Sequence, residues 1–249
     1  MSFYTEMRRC VLRHGAINNP YLDRFQTGAI TDKELHQFAV EFYNFARFFP
    51  KILVAQLVNT EDEAVADELT KVLYSELGDG RVKNRHELLY RDFLRTIGMD
   101  VHGAMTRPML ASTQAYITGM EQLYSSGNHS TALGASFGLE NMAITMWDHL
   151  IPGLRKLQAA RYPDMDITYF TFHRQLEATH EDAMEKAVSA LDGREGESVG
   201  GMSDQERLDF RHGMEAVLDY LEGFWMGLDS PKSSAAPSPV GSTPGPPAA

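Results

Sequence analysis

Cysteine is almost missing from this sequence. The single one, Cys10, excludes an internal disulfide and any multi-cysteine zinc or iron–sulfur site. Positive charge is also short: 23 Lys plus Arg stand against 34 Asp plus Glu, a formal net charge of −11. Phosphate and anionic headgroups both attract clustered positive charge, so neither nucleic acid nor a membrane surface is the expected partner. A long apolar run is lacking. The most apolar segment, FARFFPKILVAQLV, carries Arg47 and Lys51 and is too short to span a bilayer. The opening MSFYTEMRRC lacks the apolar stretch of a secretory signal, so a cytoplasmic location is expected. Proline is scarce except at the end, where residues 230–249 hold six of the eleven and no aromatic side chain. Such a segment cannot bury enough apolar surface to offset its ordering entropy. The expected division is one domain over residues 1–229 and a disordered Pro/Ser/Ala-rich tail over 230–249.

What is present reads as helix. Thr31 to Glu34 has the Thr-x-x-Glu form of a capping box, followed by ELHQFAVEFYNFARFFPKILVAQLV with apolar positions three and four apart. Pro50 is expected to kink that helix. Thr60 to Glu63 repeats the box, and Gly78-Asp79-Gly80 stops the helix behind it. NRHELLYRDFLRTIG and three longer amphipathic segments follow. A last box, Ser203 to Glu206, opens ERLDFRHGMEAVLDYLEGFWMGL. Strand-like alternation bounded by hairpin turns is absent. The predicted fold class is all-α, a single helical bundle of about seven or eight helices.

One segment carries chemistry. In YFTFHRQLEATHEDAMEKAV, His173, Glu177 and His180 stand at i, i+4 and i+7. At about 100° per residue they fall within roughly 60° of one another on the helix wheel. Apolar residues such as Phe170, Met184 and Ala187 continue that face, so two imidazoles and a carboxylate point toward the core. Buried unpaired, each costs several kcal/mol. Water, hydrogen bonds or a cation must compensate, and this donor mixture suits iron, manganese or zinc. Two other places offer ligands. Glu76 ends KVLYSEL, and His86 opens the next helix beyond the glycine break. Glu140 sits among Phe137, Leu139, Ala143 and Ile144 with almost no polar company. Glu87, Asp79, Asp148 and His149 are rival ligands close by. Two divalent ions carry +4 and three carboxylates −3, a near balance that favours a dinuclear site, with Glu140 as the candidate bridge.

YSELGDGRVKNRHELLYRDFL, FGLEN and YFTFHRQLEATH together resemble the ligand motifs of the haem-oxygenase-like di-iron oxidases and oxygenases. ITDKELHQFAVEFYNFARFFPKIL resembles that family's first core helix. The likeness covers roughly residues 15–225 and departs from the family at Glu177, where many members have Asp. Phe48 and Phe49 stand near the place of an extra carboxylate found in some members. The resemblance implies a haem-oxygenase-like bundle and six metal ligands, Glu76, His86, Glu140, His173, Glu177 and His180. It also implies two iron ions as cofactor, dioxygen as co-substrate, and a role in specialised biosynthesis. The expected activity is oxidation of a small amine or amino-acid-like metabolite, with N-oxygenation favoured over C–C or C–N cleavage, desaturation or decarboxylation.

Candidate substrate-binding residues are Tyr43 and Arg47, one turn apart, with Val40, Met142 and Met146 as apolar wall. Arg47 has the fork geometry to pair with a carboxylate. An external electron donor and a homodimer are left open, with Phe224 and Trp225 as a candidate dimer face. Three other readings compete. His14 could hold a haem. Cys10 could act as the nucleophile of a thiaminase-like hydrolase, although it sits in an N-terminal segment. The bundle could also be a non-enzymatic interaction module. Iron uptake separates these.

Overall fold

The computed structural model describes residues 2–192 and 201–229, with side chains of the ninth helix described to Glu177 and at 185, 186 and 188. Residues 230–249, and with them the expected tail, lie outside the described residues.

Among the described residues there are ten α-helices and no strand. They are α1 (Phe3–Val11), α2 (Pro20–Gln26), α3 (Asp32–Val58), α4 (Glu63–Glu76), α5 (His86–Thr96), α6 (Val101–Thr106), α7 (Ala111–Tyr124), α8 (His129–Ala160), α9 (Thr168–Asp192) and α10 (Asp204–Asp229). The all-α expectation holds, and the count exceeds seven or eight because α1, α2 and α6, of nine, seven and six residues, give a periodic reading little length. Each is instead marked by its cap: Ser2, Asn19 and Asp100 accept from backbone N–H groups of the first turn.

Two expected capping boxes are present. Glu34 N donates to Thr31 Oγ1 at 3.2 Å while Thr31 N donates to Glu34 Oε2 at 2.7 Å. Ser203 and Glu206 exchange the same pair of bonds. The third differs. Asp62 caps α4, its Oδ1 accepting from Ala64 N and Val65 N. Thr60 instead donates to Gln56 O, closing the end of α3. Pro50 lies inside α3, which continues for two further turns to Val58.

Helix α8 is the axis of the bundle. It packs on α10, α9, α2 and α7, and its stretch from Ala132 to Ala143 is wholly buried. Small residues allow the closest crossings. A Cβ on Gly134 would lie 1.9 Å from Phe210 O, and one on Gly213 would lie 1.9 Å from Thr131 O, so α8 and α10 meet backbone to backbone. A Cβ on Gly153 would likewise lie 2.0 Å from Phe25 O of α2. Phe224 and Trp225 are fully buried under this packing, so they belong to the monomer's own core and cannot form a dimer face. None of the helices described is long and apolar enough to cross a membrane.

Candidate metal centre

The turn after α4 brings the first two ligand candidates together. Gly78, Asp79 and Gly80 all have positive φ, at 91°, 51° and 74°. Asp79 N donates to Tyr74 O and Gly78 N to Ser75 O, which satisfies the last carbonyls of α4 and reverses the chain. A Cβ on Gly78 would lie 2.5 Å from Arg81 O, so only glycine fits. A short 3₁₀ turn, Val82–Asn84, then leads directly into α5 at His86. The last residue of α4 and the first of α5 thereby face each other, with His86 Nδ1 2.8 Å from Glu76 Oε2.

Helix α9 supplies the third side. His173 Nε2 lies 3.8 Å from Glu76 Oε1, and the His86 and His173 rings are 4.2 Å apart. Ligand atoms of Glu76, His86 and His173 all lie within 4.8 Å of one another, and all three residues are buried. Donors about 2.1 Å from one first-row ion are at most about 4.2 Å apart, so a small contraction would seat an ion here.

Three observations fit a metal. His173 Nδ1 donates to Tyr169 O at 2.7 Å, which fixes the tautomer and leaves Nε2 as the lone pair facing Glu76. Both ring nitrogens of His86 are buried and make no hydrogen bond of proper geometry, although one lies close to Glu76. Charge state agrees as well. Burial alone would raise the Glu76 carboxyl, but the His86 and His173 imidazoles outweigh it and hold the group far below the usual carboxylate range. Burial, and then His86, push His173 down, against the pull of Glu76. A carboxylate beside a neutral imidazole is the state that binds metal.

A cavity of about 40 Å³ adjoins this cluster. Glu76, His173, Glu140 and Glu177 give it its polar wall. Glu140 projects from the middle of α8 and Glu177 from one turn beyond His173. Trp147 Nε1 donates to Glu177 Oε1 at 3.0 Å. Phe45, Ala46 and Phe49 of α3 close one side, and Leu139, Met142 and Met146 of α8 another. The face of α3 toward the cavity is thus apolar, and it offers no seventh ligand. The side chain of His180 lies outside the described residues, although its backbone continues α9.

The rival ligands turn elsewhere. Asp148 accepts from Arg174 at 2.8 and 3.2 Å on the outer surface. Glu87 is held by Tyr43 and Arg91, Asp79 is exposed in its turn, and His149 is not among the residues of the cavity wall. Of the substrate-binding candidates, Met142 and Met146 line the cavity, whereas Val40, Tyr43 and Arg47 do not. Val40 and Tyr43 are buried in the core. The Tyr43 hydroxyl donates to Glu87 and accepts from Arg91. The Arg47 guanidinium lies 4.8 Å over the Phe48 ring. His14 sits outside the cavity wall, with Nε2 3.3 Å from Asp219 and Nδ1 accepting from Ala16 N. Residues not anticipated are Trp147 and Tyr169. In the Trp-Asp-His run at 147–149 the indole, rather than the acid or the imidazole, faces the cavity.

Comparison with known proteins identifies the family and the fold. Residues 36–202 match the family model described as iron-containing redox enzyme, of the haem-oxygenase-like group. A curated relative, 4-chloro-allylglycine synthase of Streptantibioticus cattleyicolor, is 26% identical over 219 residues, covering 88% of this chain and 79% of that protein. Among solved structures, a CADD-like protein of unknown function from Nostoc punctiforme superposes with a TM-score of 0.74 at 16% identity, over 91% of this chain and 95% of the other. A domain with a heme oxygenase-like fold from Shewanella denitrificans gives 0.67 at 17% identity, over 90% and 88%. The chain belongs to the iron-containing redox enzymes of haem-oxygenase-like fold.

Proposed function

We propose that this member of the iron-containing redox enzymes holds two iron ions and uses dioxygen to oxidise a small amine or amino acid. The observation that carries the reading is the buried Glu76–His86–His173 cluster opening onto a cavity whose other polar wall is Glu140 and Glu177. Glu76, His86 and His173 would hold one ion. Glu140, Glu177 and His180 would complete the second, with one carboxylate shared. Bound there, two Fe(II) ions would supply two of the electrons that dioxygen reduction requires, with the substrate or an external donor giving the rest.

The chain's own residues do the rest. The Tyr169 carbonyl orients His173, and the Trp147 indole orients Glu177. Phe45, Phe49, Leu139 and Met142 keep water from the reacting centre, which strengthens every electrostatic interaction inside it. Met142 and Met146 are adaptable side chains, and they form the part of the wall most able to yield to a substrate. The cavity is small beside an amino acid, so substrate entry requires these side chains to repack.

Amino-acid chemistry is supported by the curated relative, whose name describes a synthase of a chlorinated amino acid with a carbon–carbon double bond. For this chain that name makes an alkene-forming outcome a specific second reading beside N-oxygenation. The test is anaerobic Fe(II) loading, iron counting, then exposure to dioxygen with a panel of amino acids and amines. Two iron ions per chain and an N-oxygenated or alkene product are expected. His173→Ala and Glu140→Ala should lose iron and turnover while keeping helical content. A chain that takes up no iron, or a His173→Ala variant with full activity, would overturn the assignment.

A further inference from the structure

A file of tyrosines runs from the metal centre to the surface. The Tyr169 ring lies 4.1 Å from the His173 ring, centroid to centroid. Tyr90 follows at 4.7 Å, edge-on to Tyr169. Tyr43 stacks on Tyr90 at 5.7 Å with the planes 23° apart. All three rings are buried, but the Tyr43 hydroxyl reaches a polar border. It donates to Glu87 Oε1 at 3.1 Å and accepts from Arg91 Nε at 2.9 Å, and the Glu87 and Arg91 side chains are 37% and 27% exposed.

The chemistry of phenols decides where an oxidising equivalent would rest on this file. A tyrosine gives up an electron readily only if its proton can leave at the same time, because a charged phenol radical in the core carries the full cost of an uncompensated buried charge. The Tyr90 hydroxyl is buried without a hydrogen-bond partner, so Tyr90 can pass a hole but not keep it. Tyr43 has a carboxylate in place to take its proton. A second branch, from Tyr90 through Phe42 and Trp225 to Tyr21, ends blind: Trp225 Nε1 and the Tyr21 hydroxyl are both buried without a partner.

We infer that Tyr169, Tyr90 and Tyr43 form an electron path between the metal centre and the surface, ending at the Tyr43–Glu87–Arg91 cluster. When an oxidising equivalent remains at the centre without a substrate to consume it, one electron passes inward from Tyr43 through Tyr90 and Tyr169. The centre is reduced by one equivalent. Tyr43 becomes a neutral phenoxyl and its proton passes to Glu87. A one-electron reductant of the thiol or enediol class then reaches the exposed Glu87–Arg91 edge and restores Tyr43, and Glu87 returns the proton. The same path, run with an external donor, brings electrons to the centre. The inference rests on the reading that the site holds redox-active iron.

The test uses the full chain. Iron content is measured first, after anaerobic Fe(II) loading, in the unaltered protein and in Tyr43→Phe, Tyr90→Phe and Glu87→Gln. The Tyr90→Phe change removes only an unpartnered hydroxyl, so folding is not at risk. Each sample is then mixed with dioxygen without substrate, freeze-quenched and examined by electron paramagnetic resonance. A phenoxyl signal is expected in the unaltered protein, abolished by Tyr43→Phe and reduced severalfold by Tyr90→Phe. Glu87→Gln should also reduce it although Tyr43 is still present, which a purely structural role for Glu87 would not produce. Peptide mass spectrometry after prolonged exposure supplies a second readout: oxidation should gather at Tyr43 in the unaltered protein and retreat to Tyr169, His173 and Trp147 in Tyr90→Phe. A signal and damage pattern indifferent to Tyr43 and Tyr90 in iron-loaded protein overturns the path alone. Failure to take up iron overturns the reading of the site, and the path with it.

Discussion

Replacing Trp147 by Phe isolates one hydrogen bond to a proposed ligand. The indole is 97% buried, and its Nε1 donates to Glu177 Oε1 at 3.0 Å. Phenylalanine keeps an aromatic ring in the space against Phe42, Tyr169 and Phe170, but it has no donor. A buried hydrogen bond to a charged acceptor contributes about 1.5–3 kcal/mol. At about 1.4 kcal/mol per tenfold, that converts to roughly 10–150-fold in affinity, in line with the 10–100-fold effects seen when a ligand loses its orienting partner. The smaller ring also gives up apolar burial and should cost about 1–2 kcal/mol of stability, which the bundle can absorb. The assay is competition between the protein and an iron chelator of known affinity, with far-ultraviolet circular dichroism as the check on folding. One of the two iron equivalents should weaken by the stated factor while the other, held by Glu76, His86 and His173, changes little. A folded variant that keeps both equivalents at unaltered affinity would refute the reasoning, because Glu177 would then not depend on Trp147 to hold metal.

Other outcomes follow from the same structure. The metal-free chain should lose stability on acidification in two stages. Below about pH 6.5 the unfolded chain takes up a proton that buried His173 resists, and below about pH 4.5 unfolded Glu76 does the same, so the unfolded state binds more protons in both ranges and stability falls with pH. Urea titrations across pH check this, and a His173→Gln variant should lack the first stage. Gly134→Ala should destabilise by about 3 kcal/mol or more, because the added methyl would meet the backbone of Phe210 and drive α8 from α10; thermal unfolding reads it directly. Arg47→Ala should leave KM unchanged for whichever proposed amine or amino acid is turned over, since Arg47 is not part of the cavity wall, whereas Met142→Ala should alter it.

The elements of this fold are local, and they were legible in the sequence. Thr31–Glu34 and Ser203–Glu206 cap their helices through bonds three residues apart, so the spacing alone identifies them. His173 and Glu177 share a face of α9 because helix periodicity puts them there, whatever lies opposite. Short-range ambiguity explains the errors. At Thr60–Glu63 two cap acceptors compete within three residues, and Asp62 prevails while Thr60 ends the preceding helix. Helices α1, α2 and α6 span only nine, seven and six residues, although α1 does carry the stripe Phe3, Met7 and Val11.

Side-chain direction between elements was beyond the sequence. Tyr43 and Arg47 share a helix face on paper, but packing turns the Tyr43 hydroxyl to Arg91 and Glu87 and lays Arg47 over Phe48. Asp148 and Trp147 are neighbours in the chain, yet α8 places one outward against Arg174 and the other inward against Glu177. Phe224 and Trp225 read equally well as a partner face or as core, and only the packing of α10 against α2, α3 and α7 buries them, Phe224 on Tyr116 and Phe42, Trp225 on Tyr21 and Phe38.

Composition and periodicity by themselves determined a helical bundle with imidazole and carboxylate facing its interior, because hydrophobic patterning and capping act within one or two turns. Which of those groups meet was decided by the tertiary structure alone. Glu76 and His86 are ten residues apart, and His173 lies a further 87 along the chain. They come together only because three positive-φ residues reverse the backbone after α4 and because α9 packs against both α4 and α5.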